Sequence, residues 1–329
     1  MSAPLRIDTG LELPGEGALR VAADVHLPAQ AGSSPLVLVC LPGGGMNRRY
    51  WDLHPPADAG ADDGSFSFAG QMTRRGYVVV ALDHLGVGDS SRPEDGHLLS
   101  ADLVTQANTA ATAKLLAGLR DGSLLPGVAA MPGLRSVGVG HSMGAMFTIL
   151  QQATARQHIG VALLGFSTRG LPEYVTPEVR ELAKDVAAVR ARVPEFARRM
   201  FPKPYLRVQS SRGSGGGGDN SLFAGNKADP LGVAALKEAV DGLLPQPAYL
   251  SMIPGNVAPE AATLTVPVFL GIGELDMAGP THQIPAGFPA SQDVTLVVLP
   301  QAGHSHFLFP ARAGLYDRLD LWARSVLKA

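Results

Sequence analysis

Ser136-Val137-Gly138-Val139-Gly140-His141-Ser142-Met143-Gly144-Ala145 is the stretch whose reading decides the fold. Its first residues form a short apolar run suited to a buried strand, and Ala145 to Ala153 continue with helical character. Between them stands Gly140-His141-Ser142-Met143-Gly144. A serine on so tight a strand-to-helix turn must hold a strained backbone with close neighbours, so glycine is needed two residues before it and two after. The start of the helix also aims backbone N–H groups at developing negative charge. A dinucleotide-binding reading competes through Gly138-Val139-Gly140, but the phosphate fingerprint would need glycine where Met143 stands.

Working outward, short continuous apolar runs recur at Leu36 to Cys40, Tyr77 to Leu82, Val137 to Val139, Val161 to Leu164, Val266 to Ile272 and Val294 to Leu299. Such runs suit strands buried on both faces of a parallel sheet. Helical stretches lie between them, including Ala101 to Leu119 after the cap Ser100 and a C-terminal helix carrying Leu315, Leu319, Trp322 and Val326 at three- and four-residue spacing. Strand and helix alternate, which predicts an α/β fold with a mostly parallel central sheet. Before this series, Leu5 to Leu13 and Leu19 to Leu27 flank Pro14-Gly15-Glu16-Gly17 and read as an antiparallel pair.

The alternation stops between Ser167 and Ala262. Thr176-Pro177 caps a helix predicted to carry Val179, Leu182, Val186, Val189 and Val193 on one face. Asp229-Pro230 opens a second, predicted to run through about Leu243. Between them lies the flexible tract Ser210 to Gly218. A helical lid fits these signals, with a plain spacer as the alternative.

Among the 329 residues, 46% are hydrophobic and 17% charged, enough apolar material for one large core. Lys and Arg number 27 against 29 Asp and Glu, a formal charge of -2 that gives no field to gather polyanions; nucleic acid is not an expected partner. The single cysteine, Cys40, excludes an internal disulfide and reads as a buried strand residue. The first residues carry charge and proline rather than an export-like apolar stretch, and no apolar run is long enough to span a bilayer. A cytoplasmic protein is the expectation.

Taken with the serine turn, these features make the chain resemble the α/β-hydrolase superfamily along nearly its whole length, with residues 1–166 and 263–329 as the core and 167–262 as the lid. Three further segments carry the resemblance. Leu41-Pro42-Gly43-Gly44-Gly45-Met46 follows the third strand, where the family supplies an oxyanion donor, though Pro42 replaces the usual histidine. Asp83-His84-Leu85-Gly86-Val87-Gly88-Asp89-Ser90 is similar to a turn that shapes the backbone beside the family's site. The end of the penultimate strand leads into Gly273-Glu274-Leu275-Asp276, and the last into Gly303-His304-Ser305-His306. The resemblance implies a triad of Ser142, Asp276 and His304, with Asp276 favoured over Glu274 and His304 over His306, and oxyanion donors at Gly44 and Met143.

It implies further a serine hydrolase that cleaves an ester or related acyl bond of a small, largely apolar molecule, with neither cofactor nor metal. Relatives use the same triad on amides, thioesters and carbon–carbon bonds, or pass the acyl group to an alcohol. A non-catalytic binding protein on the same fold is the alternative from another class.

Overall fold

The computed structural model describes residues 2–207 and 227–328. Its centre is an eight-stranded sheet in the order β1-β2-β4-β3-β5-β6-β9-β10. β1 (Ser2–Leu13) and β2 (Gly17–His26) form the expected antiparallel pair, and β2 runs antiparallel to β4. From there β4 (Val78–Leu82), β3 (Leu36–Leu41), β5 (Arg135–His141), β6 (Gly160–Leu164), β9 (Val268–Gly273) and β10 (Val294–Leu299) are all parallel. β3, β4, β6 and β9 are buried at every position, which explains why they read as unbroken apolar runs. β10, at the edge, is half-buried until Leu299.

Helices cover both faces. α1 (Phe68–Arg74), α2 (Ala101–Asp121) and α3 (Met143–Ala155) connect strands, and α10 (Arg312–Lys328) closes the chain. The Ser100 hydroxyl caps α2 by accepting from the Leu103 N–H. Leu315, Leu319, Trp322 and Val326 of α10 are buried, as their spacing predicts. Beside them Tyr50, Trp51, Phe68, Phe307 and Tyr316 stack edge-to-face or tilted, with ring centroids 5.0 to 6.0 Å apart.

The segment between β6 and β9 departs from both helix expectations. The single helix predicted from Thr176 is three: α4 (Pro177–Leu182), α5 (Val186–Ala191) and α6 (Val193–Met200). Asp185 accepts from the Ala188 N–H and so starts a new helix where the apolar spacing suggested continuity. Pro194, in the first turn of α6, restarts the chain again. Val179, Val189 and Val193 are nonetheless all buried. The helix opened by Asp229 is α7 (Pro230–Leu236), which ends seven residues early in a 3₁₀ turn at Lys237–Ala239. The chain then pairs β8 (Gly242–Leu243) with β7 (Leu206–Arg207), and Pro245 opens α8 (Pro245–Met252), a helix the sequence reading lacked. α9 (Ala258–Ala261) completes the segment. The tract Ser210 to Gly218 lies outside the described residues.

Candidate active site

The parallel strands end on one side of the sheet, and the loops at those ends assemble the site. At the end of β5, Ser142 has φ 53° and ψ −120°, a conformation that costs a non-glycine residue on the order of 1–3 kcal/mol. Its N–H donates to the Leu164 carbonyl at 2.8 Å, tying the turn to β6. The flanking glycines are there for space. A Cβ at Gly140 would lie 2.4 Å from the Gly144 carbonyl oxygen, and one at Gly144 would lie 2.1 Å from that of Leu41. No side chain fits either position.

Asp276 and His304 come from the loops after β9 and β10, which are tied together. The Glu274 N–H donates to the Leu299 carbonyl and the Leu275 N–H to that of Ala302, each at 2.9 Å. His304 Nδ1 lies 2.8 Å from Asp276 Oδ1, and His304 Nε2 lies 2.9 Å from Ser142 Oγ. A carboxylate only accepts, so Nδ1 carries the proton and Nε2 is left to accept from the serine hydroxyl. Asp276 is fully buried. Burial by itself would raise its pKa, but the His304 charge and hydrogen bond, with help from His306, outweigh it and hold the carboxyl well below the usual range. The structure thus brings Ser142, Asp276 and His304 into one hydrogen-bonded chain. Glu274 points away: exposed, its carboxylate accepts from the backbone N–H and side-chain amide of Gln301.

Met143 is the first residue of α3, where a backbone N–H has no carbonyl four residues back to bond. Gly44 lies against it, since a Cβ on Gly44 would be 3.7 Å from the Met143 Cβ. The two expected oxyanion donors are therefore neighbours. The loop carrying Gly44 is fixed without the family's histidine. His84, buried on the turn after β4, donates through Nε2 to the Pro42 carbonyl at 2.9 Å, while its Nδ1 accepts from Asn108 Nδ2 of α2 at 3.0 Å. Burial lowers the His84 pKa to about 4, so it stays a neutral donor.

His84, Asn108 and His306 were not assigned these contacts from sequence. The Asp83 to Ser90 turn was read there as a backbone-shaping element, and part of it is one. Asp83 accepts from the backbone N–H groups of Arg48 and Asp89, and the Arg48 guanidinium spans Asp83, Asp24 and Asp89. A buried histidine one residue on, facing a loop that lacks its own, was the available signal for His84. His141, beside Ser142, donates through Nε2 to the His304 carbonyl at 2.9 Å and packs on Tyr50. Burial, and then the neighbouring His304 and His306, hold it well below the usual histidine range, so it acts as a neutral brace.

A cavity of about 30 Å³ opens beside Ser142 and His304, lined by Phe166, Leu171, Met277 and Ala278 with the hydroxyls of Ser167 and Ser251. Leu171 and Ser251 come from the segment between β6 and β9, and Leu243 of that segment also lies against Gly44. Among the described residues, no helix is long and apolar enough to cross a membrane.

A mostly parallel sheet with a strained serine at the end of β5, and an aspartate and a histidine on the two loops beyond, has the strand-turn-helix geometry of a nucleophile elbow. The chain matches the alpha/beta hydrolase family over residues 38–313, and it belongs to that family. Among solved structures it is similar to a thermophilic esterase from Thermogutta terrifontis, at 18% identity over 98% of this chain and 99% of that one, with a TM-score of 0.56. A monoacylglycerol lipase from Paleococcus ferrophilus is 20% identical over 94% and 99%, with a TM-score of 0.60. A bromoperoxidase from Bacillus anthracis is 14% identical over 99% and 100%, with a TM-score of 0.58. At these identities the likeness is one of fold. No curated protein matches the chain.

Proposed function

We propose that this protein is a serine hydrolase that cleaves an ester, or a related acyl bond, of a small and largely apolar molecule. The observation that carries the reading is the chain from Ser142 Oγ through His304 to Asp276, with links of 2.9 and 2.8 Å, on a serine whose backbone is strained. His304 Nε2 takes the serine proton as Oγ attacks the carbonyl carbon, and Asp276 holds the tautomer and stabilises the imidazolium. The N–H groups of Gly44 and Met143 receive the oxyanion; loss of one such donor costs about 10² to 10³ in rate. Collapse breaks the bond to the leaving oxygen, which takes the proton from His304. Water then attacks the acyl-serine with His304 again as base, and the acid departs as Ser142 regains its proton.

The apolar substrate is supported by Phe166, Leu171, Met277 and Ala278 around the serine. The small cavity suits a short acyl group, with the rest of the molecule directed outward. Residues 167–262 act as a lid over this site, because Leu171, Leu243 and Ser251 approach it from that segment.

The test is a panel of acyl esters, thioesters and diketones, with fluorophosphonate labelling, on wild type and Ser142→Ala. Stoichiometric labelling and turnover that both vanish in the variant are the expected result. Labelling elsewhere, or none in the wild type, would overturn the reading.

A further inference from the structure

Asp276 has two oxygens, and only one is accounted for by His304. Oδ1 accepts from His304 Nδ1 at 2.8 Å and from the Ala278 N–H at 3.0 Å. Oδ2 lies 3.0 Å from His306 Nε2. Both partners are fully buried, so neither this oxygen nor this imidazole exchanges its contact for bulk water. His306 is held there by its neighbour Phe307, which is buried in the aromatic cluster with Tyr50 and Phe68. The arrangement has a cost, because His306 Nδ1 is buried with no hydrogen-bond partner among the described residues. An apolar side chain would fill the same volume without it. The Nε2–H to Oδ2 contact offsets that cost.

We propose that His306 is a positioning residue: by donating to Asp276 Oδ2 it fixes the carboxylate plane and restrains how strongly Asp276 draws the His304 proton. This rests on reading Ser142, His304 and Asp276 as the triad. A carboxylate that already accepts on its second oxygen is a weaker acceptor toward the first. His306 therefore limits the pull of Asp276 on the His304 Nδ1 proton. The other titratable groups facing this cluster are His141 from β5, Tyr50 from the turn after β3 and, behind Tyr50, Tyr316 of α10. Burial keeps His141 neutral and both tyrosines un-ionised, leaving the histidine pair on Asp276 to set the response.

The experiment measures the rate of Ser142 phosphonylation by a fluorophosphonate from about pH 5 to 9 in wild type, His306→Leu and His306→Gln. This readout needs no knowledge of the natural substrate. The leucine variant should react about tenfold more slowly, and its acid limb should move upward by about half a pH unit, because Asp276 then holds the imidazolium more tightly. Glutamine, whose amide donates from nearly the same place, should restore both to within about threefold and to the wild-type limb. An unmoved limb in a folded leucine variant, or glutamine as impaired as leucine, overturns the proposal while wild-type labelling leaves the triad standing. Should leucine not fold, the glutamine variant decides alone, and a tenfold loss there counts against the donor role. If wild-type Ser142 is not labelled, triad and His306 proposal fall together.

Discussion

The strand ends of the sheet and the segment between β6 and β9 differ in what fixes their backbone. At the strand ends the positions are determined several times over. Ser142 is held by the Leu164 carbonyl and two glycine-only contacts, while the loops after β9 and β10 bond to each other. In the intervening segment the helices α4, α5, α6 and α8 have six to eight residues each, joined by buried apolar contacts and by side-chain ion pairs at their surface. Arg190 of α5 reaches Glu260 of α9 at 2.6 Å, and Arg192 reaches Glu178 and Glu195. On the function proposed above, chemistry that tolerates little displacement would stand on the first region, and the surface able to vary between substrates on the second.

The sharpest test of that contrast is His304→Ala, which should lower kcat by about 10⁴ or more with the fold intact. Asp276→Asn should come close behind at about 10⁴, since the amide N–H can donate to His304 Nδ1 and so favours the tautomer with its proton on Nε2; both are read from steady-state kinetics on one acetyl ester.

Acid should next separate the regions through stability. Burial lowers the pKa of both His84 and His158 in the core from the ordinary 6.5 to about 4. The unfolded chain therefore binds protons that the folded chain refuses. Their contribution is complete above about pH 6.5 and is lost as pH falls toward 4, on the order of 3 kcal/mol for each. Melting temperature should fall across that window, and His158→Gln should flatten the fall.

In the other region, Arg190→Met removes a half-buried pair and should cost about 1–2 kcal/mol, seen as a melting shift of a few degrees. Phosphonylation of Ser142 should stay near wild type; a loss comparable to that of Asp276→Asn would abolish the distinction between the regions. Smallest of all is Glu274→Gln, two residues from the acid yet exposed and bonded to Gln301, which should change kcat less than about threefold.

The same contrast governs what could be read from the residues alone. Strands buried at every position, β3, β4, β6 and β9, announce themselves as unbroken apolar runs, half-buried β10 overlaps such a run as well, and Ser142, Asp276 and His304 follow strand ends. The intervening segment carried a real signal in Val179, Val189 and Val193, all buried, but periodicity could not see Asp185 and Pro194 restarting the helix. α8 was missed because Pro245-Gln246-Pro247 reads as a loop, although proline in a first turn is compatible with a helix. His306 was weighed as a rival base and not as a partner of Asp276. Its contact with the far oxygen of Asp276 depends on how two loops dock, which no local spacing encodes.

The hydrogen bond between Ser142 and His304 spans 162 positions of the chain. A nascent polypeptide leaving the ribosome can fold β1 through β6 and form the strained turn long before the residues that activate its serine exist. On the function proposed above, reactivity toward a fluorophosphonate would be a late event in synthesis, waiting on the pairing of β9 and β10. Chains truncated before His304 and misassembled products should be inert rather than indiscriminate acyl acceptors, so labelling competence would double as a report that β9 and β10 are made and paired.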